Sequence, residues 1–210
     1  MRNTYAHVYK LAKVSFFLCW STIIIAGCST RCLSEHEVEL MALLPKHAVN
    51  MAQNEKKISA RFVRSFGIFI QKNTVLTVSH ALPKNAHLEH FSVQKNDEKN
   101  ELLLLRSEQC GFPVPLAKKN ATINEEVFWC RDGKKAGKII EENIETYAKF
   151  PLGASGKRLT ALQKMQGNVQ TGDSGRGICN EQGALLGMVV ATDTEGAFLI
   201  PVAKIIDFLP

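Results

Sequence analysis

Short apolar runs that alternate with polar residues predict an all-β chain folded as small antiparallel barrels. Three observations carry this. From Ala60 onward, period-2 segments recur at intervals of about 8–12 residues, separated by Gly, Asn and Asp turn signals. Few helical periods separate these segments, which disfavours a parallel α/β sheet. The stretch from Ala60 to Pro210, about 150 residues, is enough for two small barrels with a site between them.

Taken in order, the elements follow from local chemistry. Residues 37–44 form an apolar stretch before Pro45, read as one or two helical turns, and 50–57 is polar loop. Residues 61–67 and 68–70 read as strands. A Gln71-Lys72-Asn73 turn leads into a third strand, 74–78, so this hairpin delivers His80 at a strand end. Pro83 stops the element. A strand over 87–93 and a polar loop over 94–100 precede Glu101 and a run of four leucines. Prolines keep 112–116 extended. Further strands fall at 125–130, 137–147 (with helix as an alternative), 158–165, 177–179, 184–191 and 196–201. A closing amphipathic helix over 202–209 places Ile205, Ile206 and Leu209 on one face.

The first 27 residues read as a leader. Arg2, Lys10 and Lys13 precede an apolar stretch from Val14 to Ala26, too short for an ordinary span of about 20 residues. Ile25-Ala26-Gly27-Cys28 resembles a bacterial lipobox, in which cleavage precedes the cysteine and the thiol is diacylated. That resemblance implies a leader over 1–27 and a tether with a small element over 28–59. It also implies attachment to the membrane through lipid on Cys28 in the bacterial envelope, with Ser29 suggesting the outer membrane, facing the periplasm. The net charge of +6 falls to +3 once the three leader cations are set aside, too little to predict a nucleic-acid partner. Cys32, Cys110, Cys130 and Cys179 remain beyond the leader and lipid cysteines, an even count that permits disulfides with three connectivities. No C-x-x-C spacing suggests a metal site.

The chain centres on Thr171-Gly172-Asp173-Ser174-Gly175-Arg176-Gly177. Glycines around a serine leave the backbone free for unusual angles and let N–H groups face a developing oxyanion. Alone, such a segment is also an ordinary turn. A histidine and an acid stand upstream: Val75-Leu76-Thr77-Val78-Ser79-His80, then Glu101-Leu102-Leu103-Leu104-Leu105. The order His, acid, Ser differs from the orders of subtilisins and α/β-hydrolases. On these motifs the chain resembles the trypsin/chymotrypsin superfamily.

The resemblance covers 60–210, which it marks as a serine protease domain. It is sharpest towards Deg-type (high-temperature-requirement) bacterial proteases, through Asn180-Glu181-Gln182-Gly183, Leu186-Gly187-Met188-Val189 and Phe198-Leu199-Ile200-Pro201. Arg176 departs from that pattern, which commonly has glycine there, and Asp173 stands where asparagine is frequent. The resemblance implies a chymotrypsin-like pair of six-stranded antiparallel barrels and a short C-terminal helix. It also implies peptide-bond hydrolysis of polypeptide substrates without a cofactor. It casts His80 as general base, Ser174 as nucleophile and Glu101 as the orienting acid, with Asp97 as the alternative, and the N–H groups of Gly172 and Ser174 as the oxyanion hole. A Cys130–Cys179 disulfide follows from the same likeness, with Cys32–Cys110 as a second pairing. It puts Asn168 at the base of the primary pocket and Val190, Thr192, Gly196 and Ala197 along its walls. A base without a carboxylate favours a small or medium uncharged side chain before the cut, unless Asp193 or Glu195 folds inward. Two other readings share the fold: a lipoprotein that binds a partner protein in a catalytically impaired cleft, and an esterase.

Overall fold

The computed structural model of the chain describes residues 36–43, 62–82, 86–150 and 156–210. The strands are β1 (Glu37–Leu43), β2 (Phe62–Gln71), β3 (Thr74–Val78), β4 (His87–Leu88), β5 (Phe91–Asp97) and β6 (Leu102–Ser107). They continue with β7 (Glu126–Trp129), β8 (Lys135–Ala148), β9 (Lys157–Gly167), β10 (Gly177–Cys179), β11 (Leu185–Thr192) and β12 (Gly196–Pro201), and the helix α1 (Val202–Phe208) follows. The first six strands make one antiparallel sheet in the order β4-β1-β2-β3-β6-β5, and the last six close a barrel in the order β10-β11-β12-β9-β8-β7.

The first sheet differs from a fully laddered barrel. Its two edge strands, β4 and β5, are consecutive in the chain and separated by only Glu89 and His90, so the turn itself links the edges. His90 takes a φ of 65°, and this left-handed residue breaks what the sequence reads as one strand over 87–93. The expected helical turn at 37–44 is also corrected. Glu37–Leu43 forms β1, paired with β2 from Glu37↔Ile68 to Leu43↔Phe62. Pairing with a neighbour decides the form of a short apolar segment that local pattern leaves open. The polar stretch expected as loop over 94–100 is strand as far as Asp97, on the outer edge of the sheet. For 137–147, the structure has strand, within β8.

The core explains why two stretches lack alternation. Leu102 to Leu105 are all buried. Leu103 and Leu105 face the interior of the first sheet with Leu40, Phe69 and Val75. Leu102 and Leu104 face the other way, into a cluster shared with the second barrel. β11 repeats the arrangement. Leu186 and Val189 fill the barrel with Trp129, Ile139, Met165 and Leu199. Leu185, Met188 and Val190 join the shared cluster with Ile68, Leu76, Val78, Ile205 and Phe208. A strand buried on both faces reads as a continuous apolar run.

Candidate active site

The ladder between β3 and β6 places the first two candidate residues. Val78 pairs with Leu102, and Ser79 N–H donates to Glu101 O at 3.1 Å, carrying the register one step further. His80 begins where that ladder ends, in a single 3₁₀ turn over Ser79–Ala81. The structure brings His80 and Glu101 together: Nδ1 lies 2.9 Å from Oε2, and the His80 backbone N–H donates to the same oxygen at 3.1 Å. The other carboxylate oxygen, Oε1, accepts from Lys157 Nζ of β9 at 2.7 Å. Glu101 is 4% exposed and takes a φ of 59°. Burial pushes its carboxyl up, but the hydrogen bonds from His80 and Lys157 outweigh that and hold it below the usual range.

Asp97 does something else. Its carboxylate accepts from Asn100 N–H at 3.0 Å and from Asn100 Nδ2 at 2.7 Å, closing the turn that leads into Glu101. The Asn100 side chain, ahead of a small effect of burial, holds the Asp97 carboxyl low. The spacing that made Asp97 an alternative acid is thus the spacing of a turn.

Ser174 is half-buried on a turn between the two sheets. Its carbonyl accepts from Phe66 N–H of β2 at 2.8 Å, and Gly175 N–H donates to Val189 O of β11 at 2.8 Å. Gly172 has φ 103° and Gly175 φ 86°. A Cβ on Gly175 would lie 1.9 Å from Phe66 O and 2.7 Å from Thr77 Oγ1, so no larger residue fits between the turn and the strands that carry His80. Among the described residues, the N–H groups of Gly172 and Ser174 donate to no protein acceptor, and Ser174 Oγ makes no hydrogen bond to His80. Asp173 folds back, accepting from Gln170 N–H at 2.8 Å.

Three participants lie outside the sequence reading. Phe150 stacks on the His80 ring with centroids 4.0 Å apart and planes at 15°. Lys157 reaches Glu101 from 56 residues away. Glu37 of β1 reaches the Ser174 turn. None shares a local motif with the residue it serves, and only the pairing of strands puts them there.

The expected pocket residues divide. Asn168 is exposed, Thr192 is half-buried and Gly196 is buried, its would-be Cβ 2.0 Å from Met165 O. Val190 is wholly buried in the shared cluster. Ala197, the ladder partner of Thr192, is buried with Val189 and Leu199 on the inner face of the second barrel. Phe198, on the opposite face, is half-buried, with the Lys164 ammonium 5.6 Å from its ring. Lys164 pairs with Asp193 at 3.0 Å and Glu195 at 2.5 Å. Its hydrogen bonds to Glu195 and then to Asp193 push its pKa up to about 12. Asp193 and Glu195, the two acids beside the expected pocket, are thereby engaged.

Cys130 and Cys179 form a disulfide that joins β10 to the end of β7, with a Cα–Cα distance of 5.1 Å. Cys110 is disulfide-bonded too, and Cys32, its expected mate, lies outside the described residues, as do the leader and Cys28. Among the described residues, no group of three His, Cys, Asp or Glu side chains is placed to hold a metal ion.

No protein-family model and no curated protein matches the chain. Solved structures do. The Rv3671c protease of M. tuberculosis in its active form superposes with a TM-score of 0.61 at 17% identity, over 83% of this chain and 79% of that one. Deg5 gives a TM-score of 0.57 at 14% identity, over 97% and 95%. The apo MamO protease domain of Magnetospirillum magneticum gives 0.53 at 18% identity, over 70% and 82%. At these identities the likeness is one of fold, and that fold is the one shared by trypsin-like serine proteases of the HtrA/Deg type.

Proposed function

We propose that the chain is a serine endopeptidase, anchored to the bacterial envelope by lipid on Cys28, that cuts polypeptides through an acyl-enzyme on Ser174. The observation that carries this reading is the His80–Glu101 pair, with Nδ1 2.9 Å from Oε2, at the end of β3, the strand on whose Thr77 Gly175 of the serine turn packs, while the Gly172 and Ser174 N–H groups have no protein acceptor among the described residues. A carboxylate on Nδ1 fixes the tautomer that leaves Nε2 free to accept the serine proton. Catalytic hydrogen bonds are commonly long before substrate arrives, so a Ser174–His80 bond is expected to form in the complex. Ser174 Oγ attacks the scissile carbonyl as His80 takes its proton, and the two N–H groups receive the oxyanion. His80 then returns the proton to the leaving amine, and water releases the acyl group by the same steps.

With Asp193 and Glu195 bound to Lys164, no free carboxylate stands among the expected pocket residues to receive a basic side chain. The expected residue before the cut is therefore small or medium and uncharged, such as Ala, Val, Leu or Thr. Mass-spectrometric profiling of a peptide library tests both claims. Cleavage after such residues that vanishes in Ser174→Ala supports them. A dominant preference for Lys or Arg contradicts the pocket, and equal cleavage by Ser174→Ala contradicts the enzyme.

A second reading, a partner-binding lipoprotein with an impaired site, is favoured by the Phe150 ring lying flat on the His80 imidazole. A wild-type chain that cleaves nothing, with a Phe150→Ala variant that does, would establish it.

A further inference from the structure

Arg176, which stands where the resembled pattern commonly has glycine, is the centre of a buried cluster that the catalytic reading does not use. Its guanidinium lies 4.1 Å from the Trp129 ring and 5.1 Å from the Phe66 ring. Its Nε is 3.3 Å from Glu37 Oε2, and its Nη1 is 3.5 Å from Asp173 Oδ1. The other oxygen of Glu37 accepts from Gly177 N–H at 3.0 Å. Glu37 is 2% exposed, deeper than Glu101. A carboxylate so far from water needs strong partners. The partners it has are the two residues that close the Ser174 turn, and the carboxylate comes from β1, 137 residues before the serine in sequence.

We infer that Glu37 is a positioning residue for the Ser174 turn, acting through Arg176 and Gly177, so that β1 is part of the catalytic apparatus. The turn is tied on its other sides to Phe66 and Val189 by backbone bonds. Its glycines at positive φ give it little stiffness of its own. Arg176 links both acids: it holds Glu37 through Nε and Asp173 through Nη1. Asp173 lies between the two residues whose N–H groups donate to no protein acceptor among the described residues. A cation pinned between two aromatic rings and paired to a buried carboxylate cannot swing away, and Asp173 and the N–H groups stay put with it. This inference rests on the serine-protease reading for its effect on rate, but not for the brace itself.

The test uses the full-length chain. Glu37→Gln keeps the volume and an acceptor for Gly177 N–H while removing the charge opposite Arg176, and Arg176→Gln probes the same pair from its other side. The expected result is a fall in peptide kcat of about 10²-fold, the scale of a displacement of about 1 Å at a site. KM should change by less than about threefold, since a placement made for the transition state moves kcat. Amide exchange over 170–177 should quicken by about tenfold in the same variants, as a loosened local unit does. A purely structural role would lower thermal stability and leave kcat per folded molecule and exchange in the turn as they are, which would overturn the inference. If the wild type cleaves nothing, the protease reading has failed, and the exchange measurement still decides the brace. The wild type also decides it without any variant: a Gly177 amide that exchanges as fast as the exposed turn at 193–195 contradicts a bond to a buried carboxylate.

Discussion

Glu101 carries one methylene more than an aspartate, and the structure shows how that length is absorbed. The residue sits at φ 59° at the end of a turn closed by Asp97 and Asn100, which sets its backbone apart from the extended run of β6. Glu101→Gln should lower kcat/KM by about 10⁴-fold, as loss of the tautomer-fixing acid does, while Asp97→Asn should cost far less. Steady-state kinetics on the two variants ranks them, and the reverse order would mean that Asp97 orients the histidine. The same carboxyl predicts a pH effect. Its folded pKa lies below the usual 4.5, so the stabilisation it provides is fully present above that value and is lost as the pH falls through the lower folded one. Thermal midpoints measured against pH should fall more steeply on the acid side for the wild type than for Glu101→Gln, and parallel curves would contradict this. The meeting of His80 with Glu101 was legible because each begins or ends a segment with a strong local pattern. Phe150, Lys157 and Glu37 were not, because nothing within several residues of any of them records what lies across the fold.

Among the elements, the four-leucine run and β11 were legible as strands because β-branched and aliphatic residues between turn signals leave few alternatives. β5 was legible only over 91–93: six of its seven residues are polar or exposed, since it lines an outer edge, so no apolar period marks the rest. β1 was misread as helix because an isolated apolar segment takes its form from the neighbour it pairs with. The disulfide between Cys130 and Cys179 ties β7 to the strand that follows Ser174. Replacing both cysteines by serine should cost about 2–5 kcal/mol of stability. Denaturant titration of the variant measures it, and an unchanged midpoint would show that the ladder between β7 and β10 holds without the bond.

At the scale of the whole molecule, the two sheets share one apolar cluster. His80 and Glu101 belong to the first sheet and Ser174 to a turn of the second, so the relative setting of the sheets is the setting of the site. The proposed anchoring concerns the N-terminal region alone. Cys28→Ala should release the protein from membranes or block its processing, and unchanged fractionation with unchanged mass would remove the lipid anchor from the account. The central claim is that Ser174 is a nucleophile activated by His80. It is tested most directly by treating the purified chain with a fluorophosphonate and locating the adduct by mass spectrometry. The account predicts a single adduct on Ser174, absent in Ser174→Ala and slowed by orders of magnitude in His80→Ala. No adduct on the folded wild-type protein, or labelling indifferent to His80, would contradict it.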